Sequence, residues 1–310
     1  LEDRQEYDQS FSAYAEGNAI RRQKSGYDAD KTNARVGLLI QQCGENLWDG
    51  AGHPSDEPIF IIGLPRAGST LLEQILASHS RVEATAELPF IGRIIGEMVA
   101  GRERGDEPLY PRVLNELSVD ERHARGQQYL DLAAGYRTGK ARFIDKLPNN
   151  WEHVAFIKTI LPNATIIDAR RQPMAACFAN FKQLFARGQE FTYSLEDIGR
   201  YYADYLYLMS HWHDIFPGGL LTVQYEDVVD DLLVGDVVRN DGLVSDWAPD
   251  LILPLALEAQ VMQLVPAPMQ RHESKWRLIE KHANNHVFAM VHNQGRSIRA
   301  LVVLASCGSC

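Results

Sequence analysis

The feature that most constrains this chain is a short stretch, residues 59–79, where three patterns meet. Ile59-Phe60-Ile61-Ile62 is a continuous apolar run of strand length between Pro58 and Gly63. A run without alternation reads as a strand buried on both faces. Gly63-Leu64-Pro65-Arg66-Ala67-Gly68-Ser69-Thr70 then supplies the glycine and proline of a tight loop. From Leu71 to His79 the period becomes helical, with Leu72, Ile75 and Leu76 on one face. A strand, a glycine loop and a helix in that order bring backbone N–H groups and a helix N-terminus to one point, which suits an anion.

The same alternation continues downstream. Ser118 and Glu121 form a capping box for a helix running to about Tyr136, and residues 143–145 form a brief strand. Asn149 or Asn150 is expected to cap a helix through Ile160, and Pro162-Asn163 turns into a strand at 165–169. Pro173 suits the first position of the next helix. A long helix from Ser194 carries an aromatic face of Tyr201, Tyr205 and Trp212, and residues 220–225 form another strand. Upstream, residues 1–48 read as helical and polar, with apolar positions at Phe11, Tyr14, Ile20, Val36, Leu39 and Ile40. The expected fold is α/β: a P-loop-like parallel sheet flanked by helices on both faces, with a helical N-terminal extension. The expected organisation is a helical segment at 1–50 and one domain at 51–310, with the pattern fading over 232–310.

Composition narrows the partners. Across 310 residues, 31 Lys and Arg stand against 41 Asp and Glu, a net charge of −10. That balance argues against bulk attraction to nucleic acid or anionic lipid, so an anionic ligand needs a local group of cations. The polar start at Leu1 suggests no signal peptide, and a first residue other than Met suggests a fragment or a processed product. The longest apolar stretch, 298–305, contains Arg299 and is far shorter than the roughly 20 residues of a membrane span. Four cysteines make no disulfide framework, and the Cys307-x-x-Cys310 pair reads as tail, so the expected compartment is the cytoplasm.

The loop fits half of a Walker pattern, but Ser69 stands where the nucleotide-binding lysine would be, and Arg66 sits inside the loop instead. A nucleotide kinase and a ligand-free turn are the alternatives at this point, and the missing lysine counts against the kinase.

Residues 59–79 resemble the 5′-phosphosulfate loop of the PAPS-dependent sulfotransferases, nearest the bacterial tetratricopeptide-repeat-linked branch and related to the protein-tyrosine sulfotransferases. The likeness runs from Tyr14-Ala-Glu-Gly-Asn18 through Tyr225-Glu-Asp227. The resemblance implies that Pro65, Arg66, Ala67, Gly68, Ser69 and Thr70 hold the 5′-phosphosulfate without a metal, with Ala67 replacing a usual serine. It implies that Glu87, in Ala84-Thr-Ala-Glu-Leu-Pro89, is the base that takes the acceptor proton. A bland alternative for Glu87 is a carboxylate in the first turn of a helix. Lys146, in Phe143-Ile-Asp-Lys-Leu-Pro-Asn-Asn150, matches the lysine that bridges to the leaving oxygen, and Arg66 assists. His153 reads as structural.

Arg171, in Asp168-Ala-Arg-Arg-Gln-Pro-Met174, matches the arginine that pairs with the 3′-phosphate, a role lysine fills poorly. Eight residues on, Ala179 replaces a serine, so the expectation is weaker 3′-phosphate binding unless Asn180 or a backbone donor substitutes. Ser274-Lys275-Trp276 resembles the segment that folds over the nucleotide, with Lys275 and Trp276 in contact with it. Around it the chain departs from the family, with Gln260 in place of a serine and no counterpart for 232–257. The implied reaction moves a sulfuryl group from PAPS to an acceptor hydroxyl of a peptide, glycan or small molecule, releasing adenosine 3′,5′-bisphosphate. A degenerate PAPS- or bisphosphate-binding protein is the alternative, and the resemblance also leaves room for a homodimer.

Overall fold

The computed structural model describes residues 1–44, 47, 49–102 and 108–230, together with the backbone at 286–292 and 299–305. Lys275, Trp276, Gln260 and the Cys307/Cys310 pair lie outside the described residues.

In chain order the regular elements are α1 (Tyr7–Lys24), α2 (Ala29–Gln42), β1 (Pro58–Gly63), α3 (Ser69–Ala77), β2 (Val82–Ala84), α4 (Phe90–Val99) and α5 (Val119–Ala134). They continue as β3 (Arg142–Asp145), α6 (Val154–Ile160), β4 (Thr165–Arg170), α7 (Pro173–Lys182), α8 (Leu195–Ile215), β5 (Leu221–Gln224) and α9 (Tyr225–Asp230). A pair of strands, β6 (His286–His292) and β7 (Arg299–Ala305), runs antiparallel with His286 opposite Ala305. Among the described residues no helix is long and apolar enough to cross a membrane.

The described residues fall into two compact units. One contains Ala34–Gln172 and 207–230, and the other Leu1–Asn33 and Pro173–Leu206.

The first unit is built on a five-stranded sheet in the order β2-β3-β1-β4-β5, with every neighbouring pair parallel. All six residues of β1 are buried, as its unbroken apolar run predicts for a central strand. On one sheet face Ile59, Ile61, Ile144, Ile167, Leu221 and Val223 meet Leu72, Ile75 and Leu76 of α3 and Val228 of α9. Each such aliphatic side chain contributes about 1.5–3 kcal/mol on burial. On the other face the Tyr129 ring of α5 lies 5.3 Å from Phe60 and 6.3 Å from Phe143. The capping box of α5 forms as its sequence predicts, with Ser118 and Glu121 satisfying each other's backbone N–H groups.

One capping expectation fails. The stretch Pro148–His153 forms a 3-10 turn rather than the start of the helix, and α6 begins at Val154 without a side-chain cap. Proline at the first position of that turn and the burial of Asn150 and Trp151 favour the tighter geometry.

In the second unit, Phe11 of α1 stacks on Phe178 and Phe181 of α7 at 6.5 and 5.7 Å, and Asn18 Nδ2 donates to the Phe181 carbonyl at 2.7 Å. Ile20, expected on the apolar face of α1, is 51% exposed. Besides Phe11 and Asn18, Tyr14, Arg21 and Arg22 of α1 also make contacts in this unit, so polar and apolar residues do not separate cleanly on it.

Candidate active site

The carboxyl ends of β2, β3, β1 and β4 deliver the site. Phe60 of β1 pairs with Asp145 of β3, and Gly63 of β1 pairs with Ala169 of β4. The 64–68 loop, Lys146 and Arg171 therefore leave three adjacent strands at the same edge, where open parallel sheets bind ligands.

Two glycines make the loop geometry possible. Gly63 has φ +136, and a β-carbon there would lie 2.4 Å from the Ala169 carbonyl oxygen. Gly68 has φ +96, and a β-carbon would meet the Tyr225 ring at 2.3 Å. Between them Arg66, exposed, takes a left-handed φ of +64. Ser69 opens α3 and is buried, while Thr70 is exposed. No side chain caps α3, so its first N–H groups are offered at the end of the loop.

Arg171 closes the loop from the β4 side. It is buried, its guanidinium lies 4.7 Å from the centre of the Tyr225 ring, and Nη1 donates to the Arg66 carbonyl at 3.4 Å. One ring thus packs against both Gly68 and Arg171. Glu226 ties this corner down by accepting the Gln172 N–H at 3.1 and 3.2 Å and Gln224 Nε2 at 2.8 Å.

On the β3 side, Lys146 Nζ lies 3.0 Å from Glu87 Oε1. The lysine side chain is only 12% exposed, unlike the solvated lysine that usually follows a strand, whereas Glu87 is 56% exposed. Glu87 precedes α4, whose cap is Pro89, so it is not a first-turn helix carboxylate.

Asp145 lies beneath this pair, fully buried. Its Oδ1 accepts the N–H groups of Leu88 at 3.3 Å and Leu147 at 3.2 Å, and its Oδ2 accepts the Tyr129 hydroxyl at 2.8 Å. Burial pushes the carboxyl up to about 7, against the opposing pull of Tyr129 and the two N–H groups. Glu73 of α3 completes the charged group. Burial raises its carboxyl above the usual range, Lys146 opposes that rise and Glu87 adds to it.

Sequence reasoning passed over Asp145, Tyr129, Glu73 and Glu226. Asp145 and Glu226 each stand beside a singled-out residue, but neither burial nor a bond to another strand's loop has a local sequence signal.

Other expected residues lie as follows. Ala179 is half-buried in α7, and Asn180, proposed as a substitute donor, gives its Nδ2 to the Ala176 carbonyl of its own helix at 2.9 Å. His153 is held by Tyr110 at 3.1 Å, and burial pushes its imidazole down to about 4, in keeping with a structural role. Among the described residues no cluster of three or more His, Cys, Asp or Glu could hold a metal ion.

The chain is similar to several known proteins. An uncharacterized protein of Aquifex aeolicus (strain VF5) is 33% identical over 241 residues, covering 74% of this chain. The chain spans 31% of that relative's length. A sulfotransferase from Alicyclobacillus acidocaldarius aligns over 73% of this chain and 99% of its own, at 18% identity and a TM-score of 0.41. The sulfotransferase domain of the Synechococcus PCC 7002 olefin synthase aligns over 78% of this chain and 93% of its own, at 19% identity and a TM-score of 0.43. The model of the sulfotransferase family matches residues 58–234, a span that contains the loop, Glu87, Lys146 and Arg171. The chain belongs to the sulfotransferase family.

Proposed function

We propose that this chain transfers a sulfuryl group from PAPS to an acceptor hydroxyl, by in-line displacement with Glu87 as the base. The observation that carries this reading is the 3.0 Å pair of Glu87 and Lys146 at the sheet edge that also presents the glycine loop. A carboxylate that is exposed on one side and held by an ammonium on the other is placed to take a proton from a solvent-delivered hydroxyl.

The remaining roles follow from charge and geometry. The loop N–H groups, Ser69, Thr70 and Arg66 supply donors for a singly charged sulfuryl group and the 5′-phosphate, with Pro65 and Ala67 shaping the turn. Lys146 stabilises negative charge on the leaving oxygen. Arg171 pairs with the 3′-phosphate, and Ala179, where the resemblance expects a serine, has no hydroxyl to add to it. A donor of this kind needs no clamp on a polyphosphate, which accounts for a loop without the Walker lysine. Adenosine 3′,5′-bisphosphate is then the second product.

The test is label transfer from PAPS across a panel of peptide tyrosines, glycans and small alcohols, with Glu87→Gln and Lys146→Ala as controls. Sulfated product that disappears in both controls supports the reading. Bisphosphate binding without any transfer would instead mark a degenerate binding protein. No calorimetric signal with millimolar bisphosphate would sink the nucleotide assignment altogether.

A further inference from the structure

We propose that Asp145 is the positioning residue of this site, fixing the backbone from which both Glu87 and Lys146 project. The inference rests on the reading that those two residues carry the transfer chemistry.

Two facts single out the carboxylate. A single oxygen, Oδ1, accepts from Leu88 and Leu147, the residues that directly follow Glu87 and Lys146. Two segments far apart in sequence are thus tied at one atom, one residue beyond each group. A further bond, from the Lys146 N–H to the Ala86 carbonyl at 3.2 Å, keeps the two backbones side by side. The other oxygen is anchored by the Tyr129 hydroxyl from α5, on the opposite side of the carboxylate from the two backbone N–H groups.

This arrangement is costly unless it does something. Burying a carboxylate is unfavourable, and a β3 strand ending in an apolar residue would pack against Tyr129 without that penalty. What an apolar residue cannot do is accept two backbone N–H groups that no strand ladder satisfies. Among the described residues Asp145 makes no hydrogen bond to the loop or to the Glu87 carboxylate; its hydrogen bonds act on the backbone beside Glu87 and Lys146.

The variants separate positioning from charge. Asp145→Asn keeps an oxygen for the two backbone donors and turns its amide toward Tyr129, whereas Asp145→Ala removes the acceptor. Using the full chain and the best acceptor of the panel above, Asp145→Ala is expected to lower kcat at least 30-fold. The bisphosphate Kd by calorimetry and the KM for PAPS should stay within about threefold. Asp145→Asn should retain kcat within about fivefold. In a crystal structure of the alanine variant, Glu87 Oε1 and Lys146 Nζ should part beyond 4 Å.

A double-mutant cycle of Asp145→Ala with Glu87→Gln should be strongly non-additive, because the first change acts through the second residue. If the alanine variant does not fold, Tyr129→Phe serves in its place, with an expected three- to tenfold loss in kcat at unchanged bisphosphate Kd. Unchanged kcat in a folded Asp145→Ala variant, or in Tyr129→Phe where it serves instead, additive effects in the cycle, or an intact Glu87–Lys146 contact in the alanine variant would overturn the proposal. An asparagine variant as inactive as the alanine variant, with both folded, would overturn it too, since charge and not position would then matter. Glu87→Gln with full activity would instead sink the underlying mechanism, and so the two failures are distinguishable.

Discussion

Lys146 Nζ sits 3.0 Å from Glu87 Oε1, although 58 positions intervene between the two residues in the chain and they leave different strands. The contact makes the two groups one unit, and their substitutions should behave accordingly. Glu87→Gln and Lys146→Ala are each expected to reduce transfer by 100-fold or more, with bisphosphate Kd within about threefold. The double variant should be little worse than the weaker single one, since groups acting together are not additive. Steady-state label transfer and calorimetry on the three variants check this.

The two loop glycines should differ in cost. Alanine at Gly68 would adopt a left-handed φ at about 1–3 kcal/mol and displace the Tyr225 ring, which can turn aside. Alanine at Gly63 would meet the Ala169 carbonyl, and that backbone is fixed by the β1–β4 ladder. Thermal unfolding should therefore show a larger loss for Gly63→Ala than for Gly68→Ala.

Arg171 uses its planar guanidinium twice, over the Tyr225 ring and toward the Arg66 carbonyl. Lysine keeps the charge but loses the stacked plane and the fork of donors. Arg171→Lys should weaken bisphosphate binding about tenfold, equivalent to about 1.4 kcal/mol. Tyr225→Leu should weaken it by a smaller factor, and calorimetry reads both.

Ala179→Ser adds the hydroxyl that the family resemblance expects at this position. The serine is expected to tighten bisphosphate binding about three- to tenfold, with no change in affinity for adenosine 5′-monophosphate. Equal effects on both ligands would place the 3′-phosphate elsewhere.

Two buried groups should bend the pH dependence of stability in opposite directions. His153 titrates near 4 when folded and near 6.5 when unfolded, so its contribution is complete above 6.5 and lost as pH falls toward 4. Asp145 titrates near 7 when folded and near 3.8 when unfolded, so its contribution is complete below 3.8 and lost as pH rises to 7. In Tm measurements from pH 4 to 7.5, His153→Gln should flatten the acid limb. Asp145→Asn should remove the decline toward neutrality and leave the acid limb steeper.

Much of this was legible from the residues. The apolar run of β1, the glycine loop, the capping box at Ser118, Pro173 at the start of α7 and the buried faces of Tyr201, Tyr205 and Trp212 are all local signals that the fold keeps. The motifs single out Arg66, Glu87, Lys146 and Arg171, whose roles are those proposed above. The rest depends on long-range packing. At three residues, β2 is too short to show a period. The exposure of Ile20 depends on which side of α1 meets α7. Asn150 was expected at a helix end, yet it is buried, and neither polar atom of its side chain has a hydrogen-bond partner among the described residues. Asp145 reads only as the end of a brief strand, and its burial beneath Tyr129 has no local signal.

The pairing of Gly63 with Ala169 and of Phe60 with Asp145 gives the site a ruler. Neighbouring strands are about 4.8 Å apart. The loop and Arg171 therefore leave adjacent strands at nearly the same level, one rung apart, whereas Lys146 leaves β3 three residues before β1 ends. Side-chain changes leave those rungs intact. Insertion or deletion of a single residue within β1, β3 or β4 does not, because it slides one segment along its neighbour and reverses which face each side chain meets. On the function proposed above, a change of acceptor is best accommodated in the connections beyond the strand ends, where added or lost residues leave the register intact.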